Sequence, residues 1–298
     1  MAMANVIFSR YYEQLETTYE TMRRRMVANY DTLVKLGEKS RAVSDRVREL
    51  AEVSYFDLKD QASFVTNAVV EKNMDAIKAD RDIRNTIVEL YLGCGVSMLA
   101  VCVGLLCGSF TFPYLLSLVF NLATEFALFS ALPVYALLKL RKYGDGDGSE
   151  RRLVVFTMSL TMSTLLGHFL GTKAVNLMPA LMFLAPVVLA LLVDADYSMM
   201  HDFSCDRIKF FIMSGGVAAL ATLISAFLTG SLALSLLIFT VVHLAWLALH
   251  FQLTTAAVKS KSFKMGDYEI LYVVGVIIAY GLIGMCTSGT QHEGAAVI

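Results

Sequence analysis

The chain has 298 residues, of which 56% are hydrophobic and only 17% are charged, and its formal net charge is −1. Soluble domains usually carry about 25% charged residues, so the composition indicates a membrane protein, and the lack of excess positive charge argues against a nucleic-acid partner. Residues 1–86 hold 14 of the 25 Lys and Arg residues and 14 of the 26 Asp and Glu residues. The sequence therefore divides into a charged N-terminal arm and an apolar body.

The arm, residues 1–86, has the pattern of amphipathic helices. Between residues 4 and 84 there is no proline and a single glycine, Gly37. Apolar residues recur every three or four positions, which is the helical period. This pattern predicts two or three helices with breaks near Gly37 and Tyr55. Their apolar stripe must pack within the chain, against a second copy as a coiled coil, or on a membrane surface; its first members are Leu15, Tyr19, Met22, Met26, Tyr30 and Leu33.

The body contains seven apolar stretches near the length of about 20 residues that crosses a bilayer. They predict an all-α polytopic membrane protein with seven transmembrane helices between residues 87 and 286. The predicted spans are Ile87–Gly108, Pro113–Leu138, Leu153–Leu170, Val175–Val193, Phe210–Leu228, Leu232–His250 and Ile270–Cys286.

The basic residues predict how these spans are oriented. With seven spans, 24 of the 25 Lys and Arg residues fall on the side of the N-terminus, and only Lys173 falls on the other side. Basic loops remain in the cytosol, so the arm is predicted to be cytosolic. An odd number of spans then places residues 287–298 in the lumen or outside the cell.

Polar side chains within a bilayer are costly and are therefore candidate functional residues. Asn121 and Glu125 are predicted one helical turn apart on one face of the second span. The Glu125 carboxylate either faces the bundle interior and binds a proton or cation, or is a neutral group that hydrogen-bonds to a neighbouring helix.

Three histidines extend this set of candidates. His168 lies near the end of the third span, and His243 and His250 lie two turns apart on one face of the sixth. Histidine carries protons near neutral pH, so these residues are candidates for an ion or proton path. The alternative is that each histidine makes a structural contact between helices.

The sequence contains no catalytic motif: Gly-x-Ser-x-Gly, His-Glu-x-x-His, the P-loop and the dinucleotide fingerprint are all missing. The acidic stretches 145–149 and 194–206 do not have the spacing of a metal site. We therefore predict no enzymatic activity, no cofactor and no metal site.

Short patches in a fixed order carry a resemblance over Arg84–Met285. The patches are Val88–Gly93, Glu150–Leu153, Leu165–Gly171, Asn176 with Pro179, Leu249–Leu253 and Gly266–Tyr268. Together with the seven spans, they make the chain similar to the Bax inhibitor-1 (transmembrane Bax inhibitor motif) family. The resemblance implies a membrane protein of the endoplasmic reticulum or a related endomembrane. Such a protein would modulate calcium or proton homeostasis and cell-death or stress signalling.

The chain also departs from that family. The family has an aspartate pair linked to calcium leak; here His250 stands at the first position, and Ile278 or Ala279 stands at the second. The arm is longer than the family's N-terminal tail, and the lysine-rich C-terminal tail is missing.

Two functions therefore remain open. One is an ion-handling protein in which Glu125 and His250 titrate along a central path. The other is a membrane scaffold or trafficking factor that binds a partner, or a second copy, through residues 1–86. An intramembrane enzyme that brings Glu125, His168 and His250 together is the least favoured alternative.

Overall fold

The computed structural model describes residues 2–28, 65–68, 70–71, 77, 80–143, 148–171, 181–194, 207–228, 230 and 232–287. All regular elements in these ranges are helices, which supports the predicted all-α polytopic membrane fold. We number them α1 (Ala2–Ala28), α2 (Arg81–Leu106), α3 (Pro113–Val119), α4 (Leu122–Tyr143), α5 (Gly148–Leu170), α6 (Leu184–Asp194), α7 (Arg207–Leu228), α8 (Leu234–Lys259) and α9 (Met265–Thr287). A π-helical turn, Cys107–Thr111, extends α2.

Six of these helices are long and apolar enough to cross a bilayer: α2 with its π-helical turn, α4, α5, α7, α8 and α9. Large apolar side chains cover the outer faces of α4, α7 and α8, as expected for contact with lipid. The fourth predicted span, Val175–Val193, is represented in the structure by α6 alone. The 11 residues of α6 are about 17 Å long, whereas the hydrocarbon core of a bilayer is roughly 30 Å thick. Residues 172–180 lie outside the described ranges, so the seventh crossing stays a prediction.

Helix α2 lies at the centre of the bundle and packs against α5, α6 and α9. Its contact with α5 is close because small residues face each other. A Cβ atom on Gly104 would lie 2.5 Å from the carbonyl oxygen of Leu160, and one on Gly167 would lie 2.5 Å from that of Leu105. Gly104 and Gly108 form a Gly-x-x-x-Gly pair, the spacing that lets membrane helices approach each other.

The second predicted span, Pro113–Leu138, is interrupted in the structure. Helix α3 ends at Val119, Phe120 is extended, and α4 begins at Leu122. Asn121 causes the new start: its side-chain oxygen accepts from the Thr124 backbone N–H at 2.9 Å, and Thr124 Oγ1 accepts from the Asn121 N–H at 3.0 Å. This reciprocal pair is a capping box. Asn121 is exposed and Glu125 is buried, so Asn121 caps α4 and does not share the buried face of Glu125.

Helix α1, the first part of the predicted arm, packs against α2 and α5. Tyr11 lies over Gly95 in the middle of α2, and burial raises the pKa of its phenol above the usual value. Gln14 and Thr18 are buried on the same face, whereas Tyr19 of the predicted apolar stripe is 65% exposed. Helix α1 therefore lies beside the spans, while the cytosolic location of the arm stays a prediction.

Candidate functional site

The most deeply buried carboxylate in the described residues belongs to Glu269, in the first turns of α9. Its side chain is 1% exposed, and Nε of Arg151 lies 3.4 Å from its Oε2. Neither carboxylate oxygen accepts a hydrogen bond from the described part of the chain. Gly93 on α2 makes room for this group, because a Cβ atom there would collide with Oε1 of Glu269.

Arg151 connects Glu269 to a second acidic residue nearer the surface. Its Nη2 donates to Oε1 of Glu89 at 3.0 Å, and Nη1 of Arg152 lies 3.8 Å from the same oxygen. Both arginines lie in the first turn of α5, while Glu89 lies on α2 and Glu269 on α9. This ion-pair network, which we call the charged cluster, therefore joins three helices at one end of the bundle.

A histidine on α8 adjoins the charged cluster. Nε2 of His250 is 2.9 Å from the backbone oxygen of Tyr268, and Nδ1 is 2.9 Å from the Tyr91 hydroxyl. A carbonyl oxygen only accepts, so in the neutral imidazole Nε2 carries the proton and Nδ1 accepts from the tyrosine O–H. Both ring nitrogens are thus engaged, and His250 ties α8 to α2 and α9.

His243, two turns before His250, has a similar environment. Its Nε2 lies 2.8 Å from the Tyr272 hydroxyl, and its ring is close to that of Phe239. Trp246, on the same face, donates to the Tyr272 backbone oxygen at 3.1 Å. His243 also borders a small cavity with Met182 and Thr222. As predicted, the two α8 histidines share one face, and that face is buried.

Glu125 and His168 meet at the opposite end of the bundle. Nδ1 of His168 lies 2.7 Å from Oε1 of Glu125, although the two atoms are not aligned as a directional hydrogen bond. The pair joins the first turn of α4 to the last turn of α5. Both residues were candidates from the sequence, and the structure brings them into contact.

The predicted central path through Glu125 and His250 is not formed by direct contact. His250 contacts Tyr91, whereas His168, the partner of Glu125, lies next to Gly108. Tyr91 lies in α2 and Gly108 in the π-helical turn that extends it, 17 positions later, which corresponds to roughly 25 Å along the helix. The two groups are therefore too far apart for a shared hydrogen bond.

Glu269 is the important residue that the sequence analysis missed. It directly precedes the last predicted span, Ile270–Cys286, so it was read as part of the preceding loop. The signal was present in the resemblance patches: Glu89, Arg151, His250 and Tyr268 each belong to one of them. These patches meet around Glu269, although they are distant in sequence.

The site contains ionisable and hydrogen-bonding groups but no ligand set for a metal. Among the described residues, no three His, Cys, Asp or Glu side chains are close enough to hold an ion. Fold and site together define a multi-pass helical membrane protein with a buried charged cluster at one end of its bundle. Comparisons with protein-family models, with curated proteins and with solved structures found no match.

Proposed function

We propose that the chain is a divergent Bax inhibitor-1-like protein that modulates calcium or proton homeostasis of an endomembrane, and through it cell-death or stress signalling. The observation that carries this proposal is Glu269, a carboxylate buried in a membrane helix whose Oε2 lies 3.4 Å from Nε of Arg151 and whose oxygens accept no hydrogen bond within the described residues. Ionisable groups in such positions are typical of ion and proton sites. The convergence of the resemblance patches on this carboxylate supports the same proposal.

In this proposal Glu269 is the functional carboxylate, in place of the aspartate pair that this chain lacks. His250 and Tyr91 lie beside the charged cluster, and the hydrogen bond between them joins two groups that can each donate and accept a proton, as a proton relay requires. Glu125 and His168, at the opposite end, are assigned a structural role. The scaffold alternative gains no support from α1, since its Tyr11–Gln14–Thr18 face already packs on the bundle.

The test is an ion-flux measurement on the full chain in liposomes, with a calcium dye in one set of vesicles and a pH dye in another. We expect flux above that of protein-free vesicles, and a several-fold reduction in Glu269→Gln, because the amide cannot release a proton or attract a cation. Glu125→Gln is the matched control: it makes the same change at the other end and should leave flux unchanged.

Two results would contradict the proposal in different ways. Wild-type vesicles that leak neither calcium nor protons faster than empty vesicles would exclude ion conduction. Normal flux in Glu269→Gln, together with loss of flux in Glu125→Gln, would still support ion conduction. It would place the conducting site at the Glu125 end of the bundle and contradict the role proposed for Glu269.

A further inference from the structure

A second buried charge, unrelated to the charged cluster, lies at the start of α7. The Arg207 side chain is 1% exposed, and its Nη1 donates to Oε1 of Gln252 on α8. Its Nε and Nη2 atoms are buried and have no hydrogen-bond partner among the described residues. Buried guanidinium donors are rarely left unused because their desolvation is costly. Arg207 therefore presents two donors that a suitable acceptor would satisfy.

Among the described residues, the carboxylate that pairs with Arg207 belongs to Glu71, in the last part of the arm. Its Oε2 lies 3.7 Å from Nη2 of Arg207, beyond hydrogen-bonding distance, while its Oε1 contacts Nζ of Lys259. Within the described residues, two cations thus share one carboxylate. Glu71 neutralises only part of the charge and leaves the guanidinium donors unsatisfied.

The position of this pair indicates what kind of anion fits. Arg207 is the first residue of a membrane helix and Lys259 is the last residue of its neighbour, so both lie where lipid headgroups are expected. Directly after Arg207, Ile208 and Ile212 are 49% and 69% exposed on α7, which provides an apolar surface for acyl chains. A phosphate offers more acceptor oxygens than a carboxylate and matches the geometry of a guanidinium.

We propose that Arg207 and Lys259 form a binding site for the headgroup phosphate of an anionic phospholipid, and that Glu71 occupies this site in the present structure. Lipid binding displaces Glu71 and detaches the arm segment that includes residues 65–68, 70 and 71 from the bundle. The buried side chain of Ala68 shows that this segment is packed here. This inference does not depend on whether the bundle conducts ions.

Native mass spectrometry of the full chain in detergent tests the proposal, with phosphatidylglycerol, phosphatidylcholine and inorganic phosphate as probes. Wild type should retain phosphatidylglycerol in preference to the zwitterionic lipid. The double variant Arg207→Gln, Lys259→Gln should bind it about tenfold more weakly, since loss of charge-assisted hydrogen bonds has an effect of this size. Lys264→Gln removes an exposed charge close in sequence and should bind as wild type does.

Glu71→Gln makes the test independent of any folding defect in the Arg207 variant. Because it removes the competing carboxylate, phosphatidylglycerol retention should rise several-fold and the arm should become more sensitive to protease. Unchanged or weaker retention of phosphatidylglycerol by Glu71→Gln would show that Glu71 does not compete with the lipid headgroup. Equal retention of the two lipids by wild type, or preferential capture of inorganic phosphate, would overturn the assignment to an anionic lipid.

Discussion

The two ends of the α2–α5 contact are held together by different forces. At one end, Arg151 and Arg152 of α5 pair with Glu89 of α2, and Arg151 also meets Glu269 of α9. At the other end, Gly104, Gly108 and Gly167 bring the two backbones together. The ion pairs join three helices, but desolvation offsets much of their stabilisation. Close backbone packing has no such offset, so we expect the glycine end to contribute more to stability.

The largest effect is expected at the glycine end, where the backbones of the two helices approach closely. In Gly104→Ala, the added Cβ atom would lie 2.5 Å from the Leu160 oxygen, and the helices must separate. We expect a loss of about 3 kcal/mol, at the upper end for overpacking, measured as a lower unfolding temperature in detergent.

Gly216→Ala is the matched control for this prediction. Nothing lies within 4 Å of a Cβ atom at Gly216 in α7, so the same substitution should leave stability unchanged or raise it by up to about 1 kcal/mol through helix propensity. If the two variants unfold at the same temperature, the glycines do not set the distance between α2 and α5.

At the charged end, Arg151→Leu should have the next largest effect. It leaves Glu269 buried without its counter-charge, and breaking a buried ion pair from one side costs about 3 kcal/mol or more. Because Arg151 is 17% exposed, screening by water reduces this cost, and we expect a loss of about 2 kcal/mol in stability. Adding Glu269→Leu should recover most of the loss, since it removes the uncompensated charge.

The control at this end is Arg141→Leu. Arg141 pairs with Asp267 at 3.3 Å but is 49% exposed, so its loss should cost less than about 1 kcal/mol. An Arg151→Leu variant no less stable than Arg141→Leu, or a double variant worse than Arg151→Leu alone, would show that Glu269 does not depend on Arg151.

The sequence predicted the spans well because crossing a bilayer requires long apolar helices. Six of the seven predicted spans overlap a helix long enough to cross. Arg141 and Arg151 both contact the start of α9, while the cytosolic side of the basic loops stays a prediction. Glu269 was missed because hydropathy assigns a charged residue at the edge of a span to the loop. Its burial depends on Gly93, which is 176 positions earlier in the chain.

Local chemistry explains the other differences from the predictions. Asn121 was placed inside a helix by the apolar residues around it, but its side chain prefers to cap backbone N–H groups, and it does so with Thr124. In α1, the polar residues Gln14 and Thr18 are buried beside Tyr11. A hydrophobic pattern does not predict the burial of polar residues, because that burial depends on the surface that the helix packs against.

The smallest effect is expected for the Glu125–His168 pair, and it provides the sharpest comparison between the two ends. A double-mutant cycle with Glu125→Gln and His168→Gln isolates their interaction energy. Only two residues take part, and His168 is 18% exposed, so we expect a coupling of about 1 kcal/mol or less. The Arg151–Glu269 cycle should give a larger value, because Glu269 has no access to water. If the Glu125–His168 coupling is the larger one, the glycine end also contains the stronger polar contact, and Glu125 regains its place as a candidate functional carboxylate.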